Sequence, residues 1–255
     1  MEALSHPSPL VEGINALLAP FGVHVPDYLV FCALITLIVA VVGLTVRSRL
    51  SVDNPGRLQI VLEDITTFIV AQLENAIGEG KGRKYIAICG GVFVFILLGN
   101  LMGQVPGLGA PTGNVNVPFG CAITVWLYYH WQGIRAQGIV SYLLHFAFPP
   151  GVPKALAPLM LPIELISHAS RVLSLTLRLF GNIFGEHLVV LIIASIVPFI
   201  APLPIQFLGL IVGPLQAFIF LTLGAIYLTA ATHVDDHGDD YGSVGPHPEP
   251  MIAKM

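Results

Sequence analysis

The stretch PIELISHASRVLSLTLRLFGNIFGEHLVVLII, residues 162–193, decides the fold. It is too long and too apolar for an ordinary surface helix, yet it carries Glu164, Arg171, Arg178 and Glu186. At 100° per residue its polar groups line up on one side. Relative to Glu164, His168 stands about 40° round, Arg171 about −20°, Ser174 about −80°, Arg178 about −40°, Asn182 about 0° and Glu186 about 40°. His187 falls about 180° from Arg178. Glu164 and Glu186 are about 33 Å apart along such a helix, and Arg178 lies about 21 Å from Glu164. A stripe of this length is expected to face protein or a water-filled cleft.

The rest of the chain makes lipid the relevant solvent. Of 255 residues, 55% are hydrophobic and 10% charged, and the net charge is −4. Soluble domains carry about 25% charged residues, so an integral membrane protein is expected. Lipid also sharpens the question of Arg178. A charge at the bilayer centre costs at least about 2.5–3.5 kcal/mol. Arg178 lies deep in the run, with apolar residues on both sides, and reads as a functional cation. Its neighbours read two ways: Arg171 as a cation snorkelling to the surface, His168 as a polar packing residue or a proton carrier, Glu164 as an interfacial charge or part of the stripe.

Working outward, residues 28–46, 85–102, 115–134 and 205–231 are further apolar runs near the roughly 20 residues that span a bilayer core. Residues 58–77 differ: Ile60, Val61, Ile65, Phe68, Ile69 and Leu73 recur near helical spacing, with Glu63, Asp64, Gln72 and Glu74 as a polar flank. That pattern predicts an amphipathic helix on the membrane surface or against the bundle; a helix in a soluble loop is the alternative. In the last run Gln206, Gly209, Gly213, Gln216, Gly224 and Tyr227 share one broad side, suited to close helix pairing, as are Gly181 and Gly185. Pro214 is expected to bend it.

Six of the 11 Lys and Arg residues lie between positions 47 and 84. The positive-inside rule then places that loop in the cytoplasm, the N-terminus outside and the C-terminus inside. The plan is a periplasmic segment 1–26, a membrane domain 27–232 and an acidic cytoplasmic tail 233–255. Residues 1–26 lack the layout of a signal peptide. Cys32, Cys89 and Cys121 fall singly, with no metal-ligand spacing, and read as packing residues. No Walker-type loop, HExxH or GxSxG occurs, which argues against an ATP site or an intramembrane hydrolase. A stand-alone channel or secondary transporter remains an alternative, although no internal repeat supports the latter.

The residues also resemble one family. PIELISHASRVLSLTLRLFGNIFGEHL with LQAFIFLTLGAIYL, LGNLMGQVPG and PTGNVNV is similar to subunit a of the F-type ATP synthase, across roughly residues 25–233. The resemblance implies an all-α integral membrane protein: helix 27–47, amphipathic helix 57–79, helices 84–102 and 115–135, and a long tilted hairpin of 156–198 and 204–232. It implies a proton-translocating stator subunit in a bacterial plasma membrane, without catalysis of its own and without cofactor or metal. The implied partners are a rotating c-ring, the subunit b peripheral stalk, lipid and protons, with sodium the lesser choice and no nucleic acid. Arg178 takes the place of the family's essential arginine. Asn182, His187 and Gln216 match positions of an outer half-channel, which Asn100 and Asn116 extend. Glu164 matches an inner half-channel carboxylate, and Ser174 and Tyr227 match polar hairpin positions. Some members hold glutamate where this chain has His187, and in some of those a histidine sits at the place of Gly209. Glu186 is therefore an alternative relay to His187.

Overall fold

A computed structural model describes residues 9–22, 24–52, 54–105, 108–140, 142, 157–197 and 200–232. Among these there is no strand. The helices are α1 (Pro9–Leu18), α2 (Asp27–Ser48), α3 (Arg57–Ile77), α4 (Ile86–Gly103), α5 (Asn116–Gln137), α6 (Ala157–Ile196) and α7 (Leu203–Thr232). The acidic residues expected in a cytoplasmic tail, Asp235, Asp236, Asp239 and Asp240, and Lys154 before α6, lie outside the described residues.

Among the described residues, four helical stretches are long and apolar enough to cross a membrane: Asp27–Ser48, Gly82–Gly103, Leu159–Ile196 and Leu203–Thr232. Helix α5 falls below that hydropathy because Gln132, His130, Arg135 and Gln137 interrupt it. It tolerates them because it packs against both α6 and α7 and so presents much of its surface to protein. Intramembrane polar groups are sustained by such placement. With 40 residues, α6 is about 60 Å long, roughly twice the hydrocarbon thickness. A helix of that length must incline or protrude.

The core is where α3, α4, α5, α6 and α7 meet. Leu73, Ile96, Val125, Tyr129, Leu179, Ile183, Phe220, Leu221 and Leu228 are all nearly inaccessible there. Helix α3 turns Ile69, Leu73 and Ile77 into this core and lies along α7, where the Thr229 hydroxyl donates to the Ala76 carbonyl at 3.0 Å. Glycines set the closest approaches: a Cβ at Gly224 would stand 3.4 Å from Val125 Cγ1, and one at Gly213 3.2 Å from Asn100 Cβ.

Helix α2 stands apart from that core, holding α4 through Val30, Phe31 and Ile35 while leaving Leu37, Val41 and Leu44 exposed. Helix α1 docks beside it through Val11. Asn15 ties it down by donating to the Val25 carbonyl at 3.2 Å and accepting from the Val25 N–H at 3.0 Å.

Candidate functional site: a row of ionisable groups along α6

The packed face of α6 is formed by His168, Val172, Leu175, Thr176, Leu179 and Ile183, all buried. Its edge runs through the polar stripe rather than beside it. His168 lies inside the packed face and Glu186 is half-buried, whereas Ser174, Arg178, Gly181 and Asn182 lie on exposed surface. The wheel explains the division: a spread of about 120° from Ser174 to Glu186 is too wide for one neighbour to cover. The stripe is thus two rows, one turned into the bundle and one turned out of it.

Arg178 sits in the outward row. Among the described residues it has no carboxylate partner; the ion pair found there joins His168 Nε2 to Glu164 Oε1 at 3.3 Å. Leu177, on the same exposed surface, and Leu179, buried at its back, make its setting apolar. One turn on, Asn182 Nδ2 donates to Gln216 Oε1 at 2.9 Å, which joins the outward row to the interior of α7. Gln216 is 2% exposed, and its Nε2 is buried with no hydrogen-bond partner. Buried amide donors are normally satisfied, so this donor marks a place where a polar group belongs.

Toward the C-terminal end of α6 a second polar group forms around α4 and α7. Gln104 Nε2 donates to Glu186 Oε1 at 2.8 Å. The carboxylate is pressed against Gly209, where any Cβ would collide with it. Glu186 therefore fills the space that a side chain at 209 would need. Nearby Asn100 is held through both its amide nitrogen and oxygen, donating to the Gly213 carbonyl at 3.0 Å and accepting from the Thr112 hydroxyl at 2.7 Å. His187 points from the other edge of α6, and its Nδ1 would lie 4.0 Å from a Cβ at Gly113 in the loop between α4 and α5. Asn116 is not drawn into this group. It is exposed at the start of α5 and lines a separate cleft of about 360 Å³ with Cys32, Phe95, Val117 and Cys121.

The opposite end of α6 holds aromatic and ionisable groups. Besides its pairing with Glu164, His168 is hydrogen-bonded through Nδ1 to the Tyr129 hydroxyl at 2.9 Å. The His130 ring lies 5.0 Å from the His168 ring, and its Nδ1 meets the Tyr142 hydroxyl at 2.6 Å. The Arg171 guanidinium lies 4.8 Å over the Tyr227 ring, a cation–π contact that holds it to α7. Together Gln137, Tyr142, Glu164, His168, Arg171 and Ala231 line a cavity of about 180 Å³. Tyr142 lies beyond the end of α5; burial pushes its phenol up to about 12, against the opposing effect of the Arg171 charge.

Sequence reasoning named Glu164, His168, Arg171 and Tyr227, but not Tyr129, Tyr142 or Gln104. Their partners are 39, 12 and 82 residues away in sequence for Tyr129–His168, Tyr142–His130 and Gln104–Glu186. Such pairs leave no periodic trace. The one usable signal was the density of Tyr, His and Gln in α5, too polar for a helix facing lipid.

Helices of this length, with ionisable groups set along the longest of them, define a polytopic membrane protein. A family model described as ATP synthase A chain matches residues 29–229. Relatives named ATP synthase subunit a share 40% identity over 214 residues in Campylobacter jejuni subsp. jejuni serotype O:6, covering 84% of this chain and 93% of the relative. The protein of that name from Nitratidesulfovibrio vulgaris strain DP4 is 47% identical over 189 residues, covering 74% and 78%. That from Solibacter usitatus is 42% identical over 198 residues, covering 78% and 83%. The chain belongs to the ATP synthase A chain family. It is accordingly a membrane-sector subunit of a proton-translocating complex and works with that complex's other subunits.

Proposed function

We propose that this chain is the stator that passes protons to and from a rotating c-ring, with Arg178 as its essential residue. The observation that carries this reading is the setting of Arg178: a guanidinium with no carboxylate partner among the described residues, on an exposed lateral face of a membrane helix, between two clusters of polar groups. Such a charge calls for a partner in the membrane. A ring carboxylate supplies one in passing. An opposite charge within about 4–6 Å favours the ionised carboxylate, so each ring acid gives up its proton on reaching Arg178 and regains one on leaving it. Arginine suits this task because it stays charged, and its charge also bars protons from crossing directly.

On this reading the two clusters are aqueous half-channels. The outer one comprises Asn100, Asn182, Glu186, His187 and Gln216, with Asn116 on the neighbouring cleft; the inner one opens at Glu164. Ser174 and Tyr227 flank the path along the hairpin. The close fit of Glu186 against Gly209 and Gln104 favours Glu186 as the outer relay over His187. One charge moved through 100 mV releases about 2.3 kcal/mol, and the rotation it drives supports ATP synthesis at sites on other subunits. The subunit itself is non-catalytic.

The further assignments are a bacterial plasma membrane, residues 1–26 in the periplasm, the membrane domain at 27–232 and the tail 233–255 in the cytoplasm, with subunit b as a second neighbour and protons rather than sodium as the ion. The basic residues between positions 47 and 84 support that orientation. The test is Arg178→Ala in the assembled synthase. ATP-driven acidification of inverted vesicles is expected to vanish, and intact coupled pumping would refute the role. Reconstituting the purified chain alone separates the runner-up: ion flux without a c-ring would make it a stand-alone channel or transporter.

A further inference from the structure

The cluster around His168 holds more proton-handling groups than an inner opening at Glu164 requires. His168 is 8% exposed and bonded on both ring nitrogens, to Glu164 at 3.3 Å and to Tyr129 at 2.9 Å. An ionised carboxylate only accepts, so Nε2 carries the hydrogen toward Glu164 Oε1, and Nδ1 accepts from the Tyr129 hydroxyl. Glu164 is 39% exposed and stands with His168 on the wall of the 180 Å³ cavity. A buried imidazole is thus interposed between an exposed carboxylate and a fully buried phenol, which is the order of groups that a relay needs.

The geometry assigns His168 as the proton relay of the Glu164 half-channel, linking the Glu164 carboxylate to the Tyr129 hydroxyl. In the outward direction Tyr129 receives a proton from the interior as it passes its own to Nδ1, and the ring releases its Nε2 proton to Glu164. Only N–H and O–H bonds change. Glu164 then loses the proton to water, and the ring resets by rotating about its Cβ–Cγ bond and exchanging with cavity water, which takes the Nδ1 hydrogen and returns one to Nε2, while the Tyr129 hydroxyl turns back toward Nδ1. Pumping runs the same steps in reverse.

Among the described residues, the charged and titratable groups around the ring come from three helices and the segment beyond α5. Glu164 and Arg171 face it from α6, Tyr129 and His130 from α5, Tyr142 from beyond α5, and Tyr227 from α7 through the guanidinium it holds. The Arg171 guanidinium shares the cavity wall with His168, and the relay carries one proton at a time. Gly133 completes the site: a Cβ there would run into the Tyr142 ring, so its absence lets Tyr142 close over His130. This inference rests on the proposed function, in particular on Glu164 opening to the cytoplasm.

The experiment uses the whole synthase in liposomes with its catalytic sector outside. ATP-driven proton uptake is followed as external pH is varied at fixed internal pH, with and without added imidazole. His168→Gln keeps hydrogen bonding without titrating, and is expected to lower uptake about tenfold, most strongly at alkaline external pH where proton supply limits. Imidazole should restore much of the loss. Tyr129→Phe, which keeps the packing ring, should lose about threefold with the same pH dependence. An unchanged rate and pH profile in both variants would overturn the assignment. So would a uniform loss that imidazole does not relieve, or a dependence on internal pH instead. If His168→Gln does not assemble, Tyr129→Phe decides. Arg178→Ala alongside separates the failures: pumping that survives it sinks the function proposed above, whereas its loss beside a neutral His168→Gln sinks only the relay.

Discussion

The two ends of α6 each hold a carboxylate, and they hold them differently. Glu186 is confined: an amide from α4 bonds one oxygen, and the bare backbone of Gly209 closes on it from α7. Glu164 is 39% exposed on a cavity wall, with a histidine as its partner. The first site holds its carboxylate between Gln104 and the backbone of α7. The second leaves room for water and supplies several groups that exchange protons. One helix therefore carries a closed site and an open site, with Arg178 between them on the face that this chain leaves uncovered.

That contrast predicts unequal sensitivity. Glu186→Gln removes the charge from a confined hydrogen bond and is expected to lower ATP synthesis by about ten- to hundredfold, the value of a charge-assisted bond. Glu164→Gln weakens an exposed pair and should cost no more than about threefold. Parallel synthesis assays on assembled enzyme check both. Equal losses would erase the distinction between the ends. A normal rate in Glu186→Gln beside a large loss in His187→Ala would move the outer relay to His187.

Confinement can also be tested by steric means. Gly209→Val drives a side chain into the Glu186 carboxylate and should destabilise the assembled subunit by about 1–3 kcal/mol, the usual cost of overpacking. Shortening the opposing group with Glu186→Ala should recover part of it. Thermal melting of the two single variants and the double variant measures the coupling, and strict additivity would mean that the two residues do not meet. Asn100→Ala comes next. It leaves the buried Gly213 carbonyl and Thr112 hydroxyl without their Asn100 partner, for about 1–3 kcal/mol, without a steric clash. Melting of that variant at an unchanged temperature would show water replacing the amide.

How much of this could be read from the chain follows the range of the interactions. The all-α class, the deep placement of Arg178 and the row from Glu164 to Glu186 come from hydropathy and a 100° period, which are local properties. So does the inward face of α3, through Ile69 and Leu73. The division of the row into two was not legible, because it depends on where α5 and α7 lie across from α6. His168 and Arg178 differ by about 80° on the wheel, enough to put one inside the bundle and the other outside it. Gly209 shows the same limit. The sequence marks it as a small residue for close packing, but only the fold reveals that what approaches is a carboxylate. Gln206, placed on the same packing side as Gly209, is exposed, because it lies near the start of α7.

The smallest predicted effect decides a route. Asn116 shares an outer half-channel with Asn100 by resemblance, yet the two side chains face different spaces. Asn100 bonds to the backbone of α7 at Gly213, one turn from Gln216, whereas Asn116 stands on the cleft between α2, α4 and α5. That cleft is lined by Cys32, Val92, Phe95, Val117 and Cys121, which offer protons few partners. If protons pass by Asn100, Gln216 and Glu186, then Asn116→Ala removes only an exposed amide and should change stability by no more than about 0.5 kcal/mol. Synthesis and pumping should stay at the level of the unaltered enzyme. A marked loss of transport with normal assembly would reroute the path through the cleft. The closed character of the Glu186 site would then be structural, and the contrast between the two ends of α6 would no longer describe two half-channels.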